Sequence, residues 1–136
     1  MSSSEELQRL YYATMTGNQE IMDLVNGVYD RVPENPFGTK MNYISFGPSD
    51  GGEDDTECIT GIRVTCQIDI WSRAVGQMEC KRLVDLVRRT LHRKPLKFET
   101  NALVDIWVEV TRVVRDPDGL TSHGIVTVTA IIEEPN

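Results

Sequence analysis

The clearest signal in the chain is an alternation of apolar and polar residues. Ile62, Val64, Cys66, Ile68 and Ile70 alternate with Arg63, Thr65, Gln67 and Asp69. Successive side chains of a strand point to opposite faces, so this pattern predicts a strand with one buried face and one facing solvent or a partner. Ser72 to Val75 reads as the turn that follows it. From about Gly76 to His92 the spacing becomes helical, with Cys80, Leu83, Val84, Val87 and Leu91 as one apolar stripe. Glu79 in the first turn and Arg88, Arg89 and His92 in the last complement the helix dipole, and Pro95 stops the element.

Upstream, Leu7, Leu10, Tyr11 and Met15 predict a helix from about Glu5 to Thr16, capped by one of Ser2 to Ser4. Gly17-Asn18 interrupts it, and a shorter helix from about Gln19 to Val25 ends at Asn26-Gly27. Pro33, Pro36 and Gly38 predict an irregular connection over Val28 to Lys40, then a short strand from Met41 to Phe46. The stretch Gly47 to Glu57 contains no apolar residue. Its acids Asp50, Glu53, Asp54, Asp55 and Glu57 predict a mobile acidic loop.

The last third predicts a long hairpin. Val104, Ile106, Val108 and Val110 alternate with Asp105, Trp107, Glu109 and Thr111, and Asp116-Pro117-Asp118-Gly119 is a strong turn signal. The return strand, Leu120 to Ile132, places Val126, Val128, Ala130 and Ile132 on one face. These elements predict a single domain over 1–136 of the α+β class. Its two layers are an antiparallel-dominated sheet of about four strands and, packed on it, one main helix with the N-terminal helices.

Composition narrows the function classes. At 40% hydrophobic and 26% charged residues the chain is ordinary for a globular protein, and no apolar run approaches a bilayer span. Its first residues lack the basic and apolar regions of a signal peptide, which predicts synthesis in a cytoplasm and no membrane partner. A net charge of −7 disfavours a nucleic-acid clamp. The cations Lys81, Arg82, Arg88, Arg89, Arg93 and Lys94 cluster around one helix and read as its solvated face.

Little in the chain offers chemistry. No nucleophile elbow, P-loop, dinucleotide fingerprint, HExxH or CxxC pair is present, so no enzyme, cofactor or metal site is expected. Cys58, Cys66 and Cys80 read as reduced thiols, and His92 and His123 as surface or end-of-element residues. The acidic run lacks calcium-loop spacing. Asp69 and Asp105 have polar surroundings that give no reason for a raised pKa. Two features do ask for a partner. Trp71 and Trp107 fall on the polar phases of their strands, where either loops and N-terminal helices cover them or a partner does. Arg63, Gln67, Arg112 and Arg115 lie on outer phases and suit a charged interface.

Three segments together carry a resemblance. They are IDIWSRAVGQMECKRLVDLVRRTLH from Ile68, RDPDGLTSHGIVTVTAIIEE from Arg115, and NGVYDRVPENP from Asn26 with the later MNYISFG. In that order they resemble the phage tail-completion family, the tail terminators or tail-to-head joining proteins. The chain departs from the family in an added GTKMN from Gly38 and in the acidity of its Gly47–Glu57 segment.

The resemblance implies a structural virion protein at the head–tail junction. It implies a homo-oligomer, a hexameric ring seated on the tail tube, that halts tube polymerisation and faces the head connector. Its partners would be its own copies, the major tail tube protein and the head connector or neck proteins. DNA would pass through the lumen without specific binding, and an acidic lumen would suit that passage. Arg73 in the WSR turn and Arg115 before the D-P-D-G turn are then interface candidates, with Trp71, Trp107, Asp116 and Asp118. The alternative for the two arginines is pairing with local acids such as Asp69, Asp116 or Asp118. The alternatives for the chain are another neck component, or a stand-alone cytoplasmic binding module.

Overall fold

The computed structural model describes residues 1–55 and 60–135. The first helix, α1, spans Ser3–Thr16, and Ser2 Oγ accepts the Glu5 N–H at 3.3 Å as its cap. Asn18 caps α2, Gln19–Leu24, by accepting from the Ile21 N–H. There follow β1 (Val28–Tyr29), β2 (Asn42–Glu53), β3 (Thr60–Ser72), α3 (Met78–Leu91), β4 (Ala102–Arg115) and β5 (Ser122–Glu134). The sheet order is β1-β2-β3-β5-β4, with β1 parallel to β2 and every other pair antiparallel. The architecture is the α+β sheet-and-helix arrangement that the patterning predicts, with β1 as a fifth strand too short for any periodicity to reveal. Among the described residues, no helix is long and apolar enough to cross a membrane.

The core lies between one sheet face and the helices. Leu7, Tyr11 and Met15 of α1 and Cys80, Leu83, Val87 and Leu91 of α3 are fully buried with Ile68, Ile70, Val126, Val128 and Ile132 of the sheet. The helix α3 crosses close above Gly124. A Cβ there would stand 2.5 Å from Val84 Cγ2 and 3.1 Å from Cys80 Sγ, so this strand position requires glycine for the close approach. Burial raises the Cys80 thiol to a pKa of about 11.

Glu6 ties the N-terminal helix to the connection before β4. Its carboxylate accepts from the Glu99, Thr100 and Asn101 N–H groups at 2.8–3.1 Å and from the Asn101 amide at 3.0 Å. Burial alone would raise this carboxyl. The donors outweigh it, led by the Asn101 and Thr100 N–H groups, and lower the pKa to about 2.

Two expectations fail here for physical reasons. The acidic loop predicted over Gly47 to Glu57 is strand as far as Glu53. Asp50 faces Thr65 and Glu53 faces Ile62 in the β3 ladder, while Asp54 and Asp55 follow the strand and Glu57 lies outside the described residues. Backbone hydrogen bonding to β3 extends β2 past Phe46 although no residue from Gly47 to Glu53 is buried, and charge and Pro48 are typical of such an edge. In β4, register shifts at Leu103/Asp105 and Val108/Val110 each insert a residue. The common apolar face expected for Val104, Ile106, Val108 and Val110 is therefore broken. Val104 and Val110 are 55% and 48% exposed while Ile106 is buried.

Candidate functional site

The helices cover one sheet face, and on the other an aromatic ladder forms by register. Tyr43 of β2, Trp71 of β3 and His123 of β5 are cross-strand partners on one rung, followed by Val114 of β4. Trp71 stacks on His123 at 3.8 Å between ring centres and 10° between planes, and on Tyr43 at 6.3 Å. Phe37, in the connection before β2, meets Tyr43 edge-on at 4.9 Å. The hydrogen bonds match this stack. The Trp71 indole donates to Ser45 Oγ at 3.1 Å. Asp69, 7% exposed, lies 2.7 Å from His123 Nε2 and accepts from the Gln67 amide at 2.8 Å. With Asp69 ionised, the imidazole carries its proton on Nε2.

Arg73 closes the ladder at the end of β3. Its guanidinium lies 4.2 Å above the Phe37 ring, and its Nε donates to Thr121 Oγ1 at 3.3 Å. Thr121 in turn donates through its hydroxyl to Asp118 at 2.7 Å, and the Thr121 and Leu120 N–H groups donate to the same carboxylate. The Thr121 hydroxyl and N–H, with the Leu120 N–H and the Arg73 charge, hold the Asp118 pKa below its usual value. The WSR turn and the D-P-D-G turn are thus joined through Thr121. Asp116 shapes the second turn through its backbone, which donates to Thr121 O and accepts from the Gly119 N–H. Gly119 takes φ +72°, the left-handed conformation that such a turn requires. Arg115 is exposed at the same end, paired in register with Ser122. Among the described residues neither Arg73 nor Arg115 forms an ion pair.

Large apolar side chains stand exposed around these turns. Val75 is fully exposed, Met78 is 78% exposed and Leu120 74%. The Ser122 hydroxyl donates to Gly76 O at 3.4 Å, which keeps the α3 approach beside the hairpin turn. One end of the molecule therefore combines arginines with uncovered apolar surface.

Trp107 belongs elsewhere. Its cross-strand partner is Thr129, six residues along β5 from His123, roughly 20 Å away at strand rise. There its indole donates to Glu109 at 3.0 Å, and Arg93, whose Nη1 donates to both Asp105 carboxylate oxygens, lies 5.5 Å from its ring centre. The candidates thus divide into Trp71, Arg73, Arg115, Asp116 and Asp118 at one end and Trp107 at the middle of an edge strand. Asp69 and Asp105 sit two strands apart and form no carboxylate pair. Phe37, Tyr43, Thr121 and His123 were not candidates from sequence. Their meeting depends on strand register, for which alternation gives the face but not the rung. Cys66 and Cys80 are free thiols, and among the described residues no three metal-ligating side chains gather. Cys58 lies outside the described residues.

Both signature turns and the ladder fall within residues 11–133, which match the family described as Tail completion protein gp17. The chain belongs to that family. A relative, the tail completion protein gp17 of Bacillus phage SPP1, is 26% identical over 127 residues, spanning 93% of this chain and 91% of its own length. The fold is also that of a chain from the virion of a native gene transfer agent particle. There the TM-score is 0.87 at 22% identity, over 97% of this chain and 98% of the other. Membership in the family gives the chain a structural role in phage tail completion, in the tail of the virion.

Proposed function

We propose that this tail-completion protein acts as a tail terminator. Six copies form a ring that seats on the last ring of the tail tube, stops its polymerisation and presents a surface to the head connector. It works through contacts alone, without catalysis, and the genome passes through the lumen without specific binding. The observation that carries this reading is the end of the sheet where Arg73 and Arg115, free of ion pairs among the described residues, stand beside exposed Val75, Met78 and Leu120. Exposed arginine with apolar surface is a composition suited to a protein interface. A ring needs two different lateral surfaces and two different ends, and a sheet with unlike edges and one uncovered face supplies them.

Charge reversal tests it. Arg115→Glu should leave the melting temperature within a degree or so and abolish ring formation or attachment to tails, because an exposed arginine contributes little to the isolated fold. Arg73→Glu should lower the melting temperature slightly more, since it loses the Phe37 and Thr121 contacts, with the same loss of assembly. Early unfolding with wild-type assembly below the melting point would make both arginines structural and remove this end from the interface.

A further inference from the structure

The two edges of the sheet differ in what they expose. β1 pairs with β2 at Ile44 and Ser45, and among the described residues no strand pairs with the outer edge of β2 from Phe46 to Glu53. That stretch and the residues after it carry Asp50, Glu53, Asp54 and Asp55, all exposed. The opposite edge, β4, is covered in its middle by residues just past α3. Val108 N–H donates to His92 Nδ1 at 2.9 Å, and Arg93 N–H donates to Ile106 O at 3.1 Å. Arg93 holds this position with φ +55°, an uncommon conformation for a side-chain-bearing residue. The cover therefore brings Arg93 and Lys94 to the β4 edge, with Arg88 one helical turn before His92 and Arg112 further along the strand.

The charged stretches also lie at matching heights. Glu53, Ile62, Ile132 and Leu103 occupy one continuous rung across the sheet, and Arg93 is anchored at Asp105, two residues along β4. Strand direction permits the same junction. β2 and β4 run antiparallel to each other, so a second copy's β2 placed beside β4 continues the antiparallel order and keeps all helices on one side. Among the described residues, Asp50, Glu53, Asp54, Lys94 and Arg112 have no ion-pair partner within the chain.

We infer that the acidic β2 edge of one copy docks against the basic β4 edge of the next, with Asp50, Glu53 and Asp54 facing Arg88, Arg93 and Lys94. Unlike edges in contact make a head-to-tail assembly, which closes into a ring when the rotation from copy to copy completes a full turn, and facing opposite charge sets its direction and register. The inference rests on the ring reading above and names the surfaces that build it. It also gives the cation cluster around α3 a role, where sequence alone suggested only a solvated face.

A charge swap tests it by native mass spectrometry and sedimentation at low ionic strength. One variant combines Asp50→Lys with Glu53→Lys, and the other combines Arg88→Glu with Lys94→Glu. All four residues are on the surface, and circular dichroism with thermal melting confirms that each variant folds. Alone, each should lose assembly by at least tenfold in midpoint concentration, because its two edges now carry like charge. Mixed at equal concentration, they should form particles of wild-type subunit number with the two variants in equal proportion. Variants that assemble alone as the wild type does would overturn the edge inference and leave the ring standing. So would variants that stay monomeric both alone and mixed while the wild type assembles. A wild-type chain that stays monomeric throughout would overturn the ring reading, and this inference with it.

Discussion

The two faces of the sheet are built from the same strands and obey different rules. On the helix side, Ile68, Ile70, Val126, Val128 and Ile132 are fully buried in the hydrophobic core cluster. On the other side, the intervening positions carry Gln67, Asp69, Trp71, His123 and Thr129, connected by hydrogen bonds and ring stacking within the sheet itself. The first face is secured by removing apolar area from water. The second carries no helix, and its large aromatics are held in fixed positions by polar partners and by one another. Such order on an uncovered face is suited to a partner, because little side-chain freedom is left to lose on binding.

The largest effects should come from the covered face. Ile68→Ala or Leu83→Ala should each cost about 2–5 kcal/mol in denaturant unfolding, since both side chains are fully buried. A loss below about 0.5 kcal/mol at both would mean that burial does not distinguish the faces. Gly124→Ala should cost about 1–3 kcal/mol, because the added methyl meets Val84 and Cys80 on α3. The same substitution at Gly52, where a Cβ meets nothing within 4 Å, is the control and should be close to neutral.

Glu6 sharpens the comparison through pH. Its folded pKa of about 2 lies below the ordinary 4.5, so its stabilising contribution is complete above pH 4.5 and fades as pH falls towards 2. The stability gap between wild type and Glu6→Gln should therefore be widest above pH 4.5 and shrink below it. A gap independent of pH would show that the three N–H groups around this carboxylate do not select its ionised form.

The covered face was also the part legible from sequence. Alternation from Ile62 to Ile70 and the stripe from Cys80 to Leu91 report burial directly, and the structure places both where that reading puts them. Legibility ended where structure is not tied to burial. Gly47 to Glu53 has no apolar phase, yet β3 supplies a ladder for it. The β4 bulges turn Val104 and Val110 outward, against a pattern that looks unbroken in the sequence. The pairing of His123 with Asp69 spans 54 residues and depends on which rung two strands share. Trp71 and Arg73 were recognisable from their phase and from the WSR segment. Their seats on His123 and Phe37 were not, because those partners come from other strands and connections.

The most direct test of the terminator proposal is to let tail tube protein polymerise with and without this chain and to measure tube lengths by negative-stain electron microscopy. If the chain terminates tails, added protein should appear as a ring at one tube tip, and tubes so capped should stop growing on further addition of tube protein. Tubes that keep growing at both tips in saturating chain, with no ring at either, would contradict it.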